Sequence, residues 1–216
     1  MTAADPTQRP GPRTVDTVTD ALRARILAGE ITPGTPLREE DLSATYEVSR
    51  HTSRTALSTL TAERLLVAEP YRGVRVAQLD QAALQALQQL RCALETEALH
   101  LVRERAVRPP QVDVALDQLE QAERAGDWPA TVAAHSAVHL ALVGAAESPR
   151  IWEAYLGIDA ELRLVLLHTP PAALGLPLGV EHRRYVRAAM AEPALAVRAH
   201  LELSTAAMLA ARDAGS

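Results

Sequence analysis

Residues Glu40 to Gly73 read EDLSATYEVSRHTSRTALSTLTAERLLVAEPYRG. Just upstream, Leu37 joins Leu42 and Tyr46 in a short helical pattern that runs into Val48. Ser49 opens a second pattern, with Ala56, Leu57 and Leu60 on one face. A serine hydroxyl accepts from the free amides of a first helical turn, so Ser49 reads as an N-cap and the helix runs from Ser49 to about Glu63. Arg50, His51, Thr52 and Arg54 then stand at an exposed helix N-terminus, where free amides and the helix dipole favour phosphate. Arg50 and Arg54 are four apart and share a face. A guanidinium is the side chain best shaped to fork onto guanine or clamp a phosphate. Leu65, Leu66 and Val67 follow, then Pro70, Tyr71, Arg72 and Gly73, then Val74 and Val76 in alternation. That is a hairpin, and Gly73 suits a tip that needs positive φ or close approach. Helix, turn, helix, hairpin is the order of a winged helix-turn-helix.

These residues resemble the DNA-binding domain of the GntR family of bacterial transcription regulators. The family's pattern can be followed through Ile26, Leu27, Gly29, Pro33, Gly34, Leu37, Leu42, Val48, Ser49, Arg50, Arg54, Ala56, Leu57, Leu60, Leu65, Pro70, Arg72 and Gly73. Three positions depart from it. Glu47 stands where the family has a small residue or Gly, Arg64 replaces a usual Gly, and Ser53 a usual Val. The resemblance implies a double-stranded DNA operator as partner. It implies contacts from Arg38, Ser49, Arg50, His51, Thr52 and Arg54, with Arg72 and Gly73 at the wing tip.

The chain has 216 residues, which suits one large or two small domains. Hydrophobic residues make up 48% but aromatics only 3%, with no Phe, so the core must be Leu, Val and Ala, which favours helices. All 22 basic residues are Arg, a compositional bias rather than a functional signal. Net charge is −5, yet residues 13–75 hold nine Arg against nine Asp or Glu, so the N-terminal part is neutral. A specific DNA binder can work this way if its arginines cluster on one face, and its non-specific affinity is then modest. The single cysteine, Cys92, excludes an intramolecular disulfide framework and fits a reducing cytoplasm. No apolar run approaches a membrane span, and the N-terminus lacks a signal-peptide core.

Residues 1–12 hold three Pro and read as a disordered arm. Val15, Val18, Leu22 and Ile26 recur at helical spacing up to Gly29, and the winged DNA-binding domain covers residues 13–78. Residues 79–216 read as a helical bundle for effector binding and dimerisation. Asp80 caps its first helix, which carries Leu84, Leu87, Leu94, Ala98 and Leu101 to about Val107. Further helices are expected from about Gln111 to Ala125, Pro129 to Ala146, Ser148 to His168, Val180 to Ala191 and Pro193 to Arg212. Thr169 to Gly179, rich in Pro and Gly, is expected to be a loop. The expected fold is mainly α: a winged helix-turn-helix followed by an antiparallel all-α bundle.

The second part resembles the FCD effector domain of FadR-like GntR proteins, through Arg91, Glu95 and Ala98, the segment Ala134-His135-Ser136-Ala137-Val138-His139, and Glu181-His182. His135 and His139 are one helical turn apart, and two imidazoles so placed can share a metal ion. The resemblance implies a divalent metal held by an Asp, a His four residues later and two further His. His139 and His182 match two of these, His135 stands at the Asp position, and His200 is the candidate for the last. His200 falls about one turn early, which a shorter connection at Glu192-Pro193 could restore. An all-histidine site favours zinc, nickel or copper over hard cations. In such domains cavity-facing arginines hold an effector carboxylate, which makes Arg91 and Arg163 candidates. A lone Arg on the inward edge of a bundle helix is more often a buried ion pair, here with Glu95, and that reading of Arg91 is preferred.

Trp128 and Trp152 read as packing residues, and Cys92 as a buried thiol. The acidic run Glu39-Glu40-Asp41 reads as dipole stabilisation of a helix start. The function implied is a cytoplasmic homodimeric transcription repressor, with no enzymatic activity and no membrane, that responds to a small organic acid. The alternative is a metal-dependent hydrolase-like bundle, but no HExxH motif is present and it leaves the winged domain unexplained. A third class, a DNA-binding architectural protein, would have a dry bundle with no cavity.

Overall fold

The computed structural model describes residues 14–69, 73–105 and 109–213. The N-terminal arm, Pro70, Tyr71, Arg72 and Val107 lie outside them. The described residues form two compact units, one of residues 14–26 and 31–77, the other of 27–30 and 78–213.

The first unit contains α1 (Val15–Leu27) up to Ile26, β1 (Pro36–Leu37), α2 (Glu39–Tyr46), α3 (Arg50–Ala62), β2 (Leu66–Glu69) and β3 (Gly73–Val76). The periodic residues Val18, Leu22 and Ile26 of α1 are fully buried, as are Ala56 and Leu60 of α3 and Leu65 beyond it. Each aliphatic side chain of Val, Leu or Ile size so buried contributes about 1.5–3 kcal/mol. The Thr52 amide donates to Ser49 Oγ at 3.1 Å, so Ser49 caps α3. The strands form an antiparallel sheet in the order β1–β3–β2, with Leu37 opposite Val74 and Leu66 opposite Val76. Leu37 is therefore a strand residue, not the helical one its spacing suggested. Its pairing with Val74 holds it extended, and α2 begins only at Glu39, after an extended Arg38. The Gly34 amide and the Thr35 carbonyl bond to Val76 at 2.9 and 3.0 Å, which leads the chain along the edge of β3.

The departures from the family pattern have local explanations. Glu47 has φ 54° and ψ 46°, and its amide and that of Val48 both donate to the Ser43 carbonyl. Arg64 has φ 59°. Both keep a left-handed backbone without being glycine. Ser53 is fully buried, and its hydroxyl pairs with Ser43 Oγ at 2.9 Å, so α2 and α3 are joined by a hydrogen bond there.

The second unit contains α4 (Gln81–Glu104), α5 (Pro110–Ala125), α6 (Trp128–Gly144), α7 (Pro149–Leu167), a short 3-10 turn (Pro171–Leu174), α8 (Leu178–Ala191) and α9 (Pro193–Asp213). Asp80 and Asp127 cap α4 and α6 through the amides of Ala83 and Ala130. α5 packs on α6 and α8, and α4 on α9, α6 and α7. The core is aliphatic, with Leu99, Leu119, Leu142 and Val197 essentially fully buried. α8 begins at Leu178, earlier than the Val180 expected. The Glu123 carboxylate on α5 accepts the amides of Leu178 and Gly179 at 2.7 and 3.1 Å and so draws the helix start back. Gly179 is tightly packed: a Cβ there would meet Glu120 Cγ at 2.5 Å. No single described helix is long and apolar enough to cross a membrane.

A left-handed residue with a Cβ costs about 1–2 kcal/mol, against about 0.5–1 kcal/mol for the greater unfolded-state freedom of glycine. Glu47 is exposed, so little else changes on replacement. Glu47→Gly should stabilise the first unit by about 0.5–1 kcal/mol, read as a higher denaturant midpoint. A lower midpoint would mean that the Glu47 side chain makes a compensating contact.

Candidate functional site

In the first unit the candidate surface is the N-terminal half of α3. Arg50, His51 and Arg54 are exposed and Thr52 is partly so, while Ser53, Ala56, Leu57 and Leu60 turn inward. Ser49 is exposed, with its hydroxyl occupied by the cap. Arg38 is exposed just ahead of α2. A cleft of about 490 Å³ is bounded by Arg38, Glu39, Arg50, Arg54, Ala68 and Gly73. Gly73 has φ +86°, as a tight wing requires; Arg72 lies outside the described residues. One contact had no clear signal in the sequence. Glu39, at the start of α2, accepts from Arg54 Nε and Nη2, both at 2.8 Å.

In the second unit four histidines converge. His135 and His139 come from α6, His182 from α8 and His200 from α9, all buried. Ring centroids are 4.8 Å apart for His135 and His139, 4.5 Å for His135 and His182, and 4.9 Å for His182 and His200. Only Glu192 separates α8 from α9, and this short link brings His200 to the cluster despite its early position. His139 Nε2 and His182 Nε2 are 3.2 Å apart.

The outer nitrogens of the rings turn away from the cluster centre. His182 Nδ1 lies 2.8 Å from the Leu178 carbonyl, which can only accept, so Nδ1 carries a proton and Nε2 is the nitrogen turned to the cluster. Glu181 Oε2 stands 3.0 Å from the same nitrogen. His200 Nδ1 donates to Glu181 Oε1 at 2.9 Å, and its buried Nε2 has no hydrogen-bond partner among the described residues. His139 Nδ1 is 3.1 Å from Glu95 Oε1, a close electrostatic contact off the hydrogen-bonding axis. One donor atom each from His135, His139 and His182 lies within 4.8 Å of the others, and the same holds for Glu181, His182 and His200.

Behind His139 lies a buried polar network. Glu95 Oε1 accepts from Arg91 Nε at 2.7 Å and Tyr155 OH at 2.6 Å, and Oε2 accepts from Tyr185 OH at 2.7 Å. The Tyr185 ring stacks on His200, with centroids 4.1 Å apart. Arg91 is thus held in an ion pair with Glu95. Arg163 on α7 keeps a buried Nε without a hydrogen-bond partner among the described residues. A small cavity of about 30 Å³ lies among His135, His182, His200, Leu166, Leu174 and Leu203. Trp128 Nε1 donates to the Leu167 carbonyl at 2.9 Å, so this tryptophan also pins a helix end. The four histidines are marked by their spacing in the sequence, whereas Tyr155 and Tyr185 carry no such signal and Glu181 stands out only as the neighbour of His182.

Burial sets the charge states. It holds His139 down to about 3, with the Arg91 charge adding to the effect. His135 is pushed well below the usual range by burial and the neighbouring His182, and His200 is lowered by burial. Burial opposes ionisation of Glu95, but the Arg91 charge and His139 outweigh it and keep the carboxyl well below its ordinary range. Near neutral pH His135, His139 and His200 are uncharged imidazoles, beside an ionised Glu95.

The unfolded chain takes up protons on these histidines near 6.5, before the folded chain does. Stability should therefore fall as pH drops below about 6.5, toward about 3 for His139. The slope is at most about 1.4 kcal/mol per pH unit for each such group. Glu95 titrates well below the usual carboxylate range and stays ionised through the upper part of this window. In chelator-containing buffer the melting temperature should decline from about pH 7 to about pH 5, and less steeply in His139→Gln. A flat profile would mean that the rings are hydrated and titrate normally.

Residues 14–76 match the family described as bacterial regulatory proteins, gntR family, and residues 86–202 match the FCD domain. A protein of Paraburkholderia xenovorans (strain LB400) described as "Uncharacterized HTH-type transcriptional regulator BphR" is 42% identical over 78 residues, covering 36% of this chain and 32% of that protein. A protein of Paenarthrobacter nicotinovorans described as "Probable D-xylose utilization operon transcriptional repressor" is 29% identical over 150 residues, covering 69% of this chain and 66% of that one. The chain thus spans about a third of the first relative and just under two thirds of the second. The crystal structure of a GntR transcriptional regulator from Rhodococcus sp. RHA1 superposes with a TM-score of 0.79 at 28% identity, covering 91% of this chain and 97% of that one. Winged unit and helical bundle follow in the order of these matches, and the chain belongs to the GntR family of bacterial regulatory proteins, with an FCD domain as its second part.

Proposed function

We propose that this chain is a sequence-specific DNA-binding transcription regulator of the cytoplasm, whose operator binding is controlled by a small carboxylate in the bundle. The observation that carries the reading is α3, capped by Ser49 and presenting Arg50, His51 and Arg54 to solvent beside the wing. Arg38, Thr52, Arg72 and Gly73 complete the DNA-facing set, with Ser49 supplying the cap. Repression is the mode named for the Paenarthrobacter relative, and we extend it to this chain. The family and fold are those of regulators, and the hydrolase alternative leaves the winged unit without a purpose.

One recognition helix covers only a few base pairs, so two copies on two half-sites multiply specificity. Leu90 on α4 and Leu156 on α7, large apolar side chains that remain exposed on neighbouring helices, suit a self-complementary contact between two copies. The buried polar cluster also argues against a purely architectural protein, whose bundle interior would be dry.

The histidine cluster fits a metal. With a Zn–N bond of about 2.0–2.1 Å, two nitrogens on one tetrahedral ion sit roughly 3.3 Å apart. The 3.2 Å between His139 and His182 Nε2 matches that spacing. Outward Nδ1 atoms facing carboxylates or a carbonyl are the usual outer partners of ligating histidines. His135, His139 and His182 would hold the ion, with His200 Nε2 alongside. A nitrogen-only set favours zinc or nickel over magnesium or calcium. Such an ion would supply a Lewis-acid anchor for an effector carboxylate oxygen. Arg91 keeps Glu95 ionised behind His139, and Arg163 is the guanidinium left to meet an acid.

DNA binding is tested by selection from duplexes with a randomised centre, using the full chain. Wild type should enrich a two-fold symmetric site, and Arg50→Ala should lose on the order of tenfold or more in affinity for it. Unchanged affinity would remove α3 as the reader. For the metal, zinc or nickel should raise the melting temperature and chelator should reverse the rise. A hundredfold excess over Kd corresponds to about 2.7 kcal/mol. His139→Ala should abolish the shift. If elemental analysis after metal incubation finds none bound, the histidines are ordinary bundle residues.

A further inference from the structure

The acids at the start of α2 do not all behave alike. Helix-dipole stabilisation accounts for carboxylates at Glu39, Glu40 and Asp41 alike. Yet among the described residues Glu39 alone of the three makes an ion pair, and it makes it across to α3. Arg54 Nε donates to one of its oxygens and Nη2 to the other, both at 2.8 Å. The Arg50 charge also helps to hold the Glu39 carboxyl below its ordinary range, after the larger effect of the Arg54 hydrogen bond. Two-thirds of the Arg54 side chain remains exposed. An exposed pair of this kind contributes little to stability, so folding is a weak reason for it. On a surface that meets phosphates, an added carboxylate also opposes binding.

The geometry of the guanidinium gives the pair a purpose. Arginine has five N–H bonds in a rigid plane. Glu39 occupies the side edge, made by Nε–H and one Nη2–H. The end edge, made by one N–H each of Nη1 and Nη2, has no protein acceptor among the described residues. Two parallel donors on that edge match O6 and N7 of guanine in the major groove. A long, flexible side chain would otherwise lose rotamer freedom on reading a base. Held by Glu39, its plane and direction are set before DNA arrives.

We propose that Glu39 is a specificity-determining positioning residue: it fixes the side edge of Arg54 so that the end edge reads a guanine in each half-site. The proposal rests on α3 being the recognition helix. It has an unusual signature, because Glu39 neutralises the arginine that it aims. Removing Glu39 frees a positive charge for phosphates and unfixes the fork. Non-specific affinity and base discrimination should therefore move in opposite directions.

The test uses the full chain and the pool of duplexes with a randomised centre. Wild type, Glu39→Ala, Glu39→Gln, Arg54→Ala, Arg50→Ala and the double variant Glu39→Ala/Arg54→Ala are compared, with circular dichroism melting to check folding. Wild type should enrich guanine at the position that Arg54→Ala randomises. Glu39→Ala should lose guanine preference at that same position by on the order of tenfold, while binding unrelated duplex more tightly at low salt. The slope of log affinity against log salt should steepen by about one phosphate contact. Glu39→Gln, which keeps one acceptor, should fall between. The double variant should discriminate no worse than Arg54→Ala alone, because both changes remove one interaction.

If Glu39→Ala tightens binding and keeps or sharpens the guanine preference, Glu39 is a mask over Arg54 and the proposal is wrong. If neither quantity moves, the pair is an idle surface contact and the proposal is equally wrong. If Arg50→Ala and Arg54→Ala both keep the wild-type motif, α3 is not the reader, and the reading beneath the proposal fails with it. That last result differs from a motif that Arg54→Ala changes and Glu39→Ala does not, which sinks the Glu39 role alone.

Discussion

The bundle depends on one buried carboxylate. Glu95 on α4 accepts from Arg91 on its own helix, from Tyr155 on α7 and from Tyr185 on α8, and it faces His139 on α6. Four helices therefore meet at two oxygen atoms that are almost entirely shielded from water. Burying an ion costs several kcal/mol, and the network is tolerable only because both oxygens are hydrogen-bonded and the Arg91 charge is adjacent. A partly satisfied version would be worse than an apolar core. This all-or-none demand fixes the helices laterally in a way that leucine packing does not. An aliphatic core fills space and accepts small slips, whereas a hydrogen bond of 2.6 or 2.7 Å does not. The histidine cluster inherits that precision, since Glu95 lies against His139 and Tyr185 stacks on His200.

Much of the molecule was legible in the sequence because local rules wrote it. Ser49 and Asp80 announce helix starts by their hydrogen-bonding side chains, and both are caps in the structure. Gly126 ends α5 with φ 72°, as a glycine after a periodic segment leads one to expect. The i, i+4 spacing of Arg91 and Glu95 already offered the ion pair that forms. Leu37 was misassigned because a single apolar residue fits a helical spacing and a strand end equally well. Tyr155 and Tyr185 stayed unread for a different reason. Their hydroxyls reach Glu95 across 60 and 90 residues of chain, and helical periodicity describes one helix at a time. The Glu39–Arg54 pair was hidden likewise, since an acid in a first helical turn already has a local reason to be there.

His200 shows how spacing in sequence and position in space can part. Counted along the chain it stands a turn too early, yet a link of one residue between α8 and α9 carries it to His182. The shortfall in one part of the chain is offset by a tighter corner in another. Glu47 and Arg64 make the same point for the backbone. The left-handed bends that glycine would take easily are kept by larger residues, Glu47 where α2 turns into α3 and Arg64 where α3 turns into β2.

Gly179 gives the cluster its depth by what it lacks. The Glu123 carboxylate grips the first amides of α8, and the absence of a side chain lets that helix lie directly on α5. Glu120, the residue a methyl group would strike, is itself held by Arg183. His182 sits one turn further on, so its distance from His139 is set by how closely two backbones approach at a point with no chemistry of its own. Lineages that drift at this position would carry all four imidazoles and still lose their alignment. An inventory of ligand residues alone would count such descendants as equivalent, and the clearance under one helix would separate them.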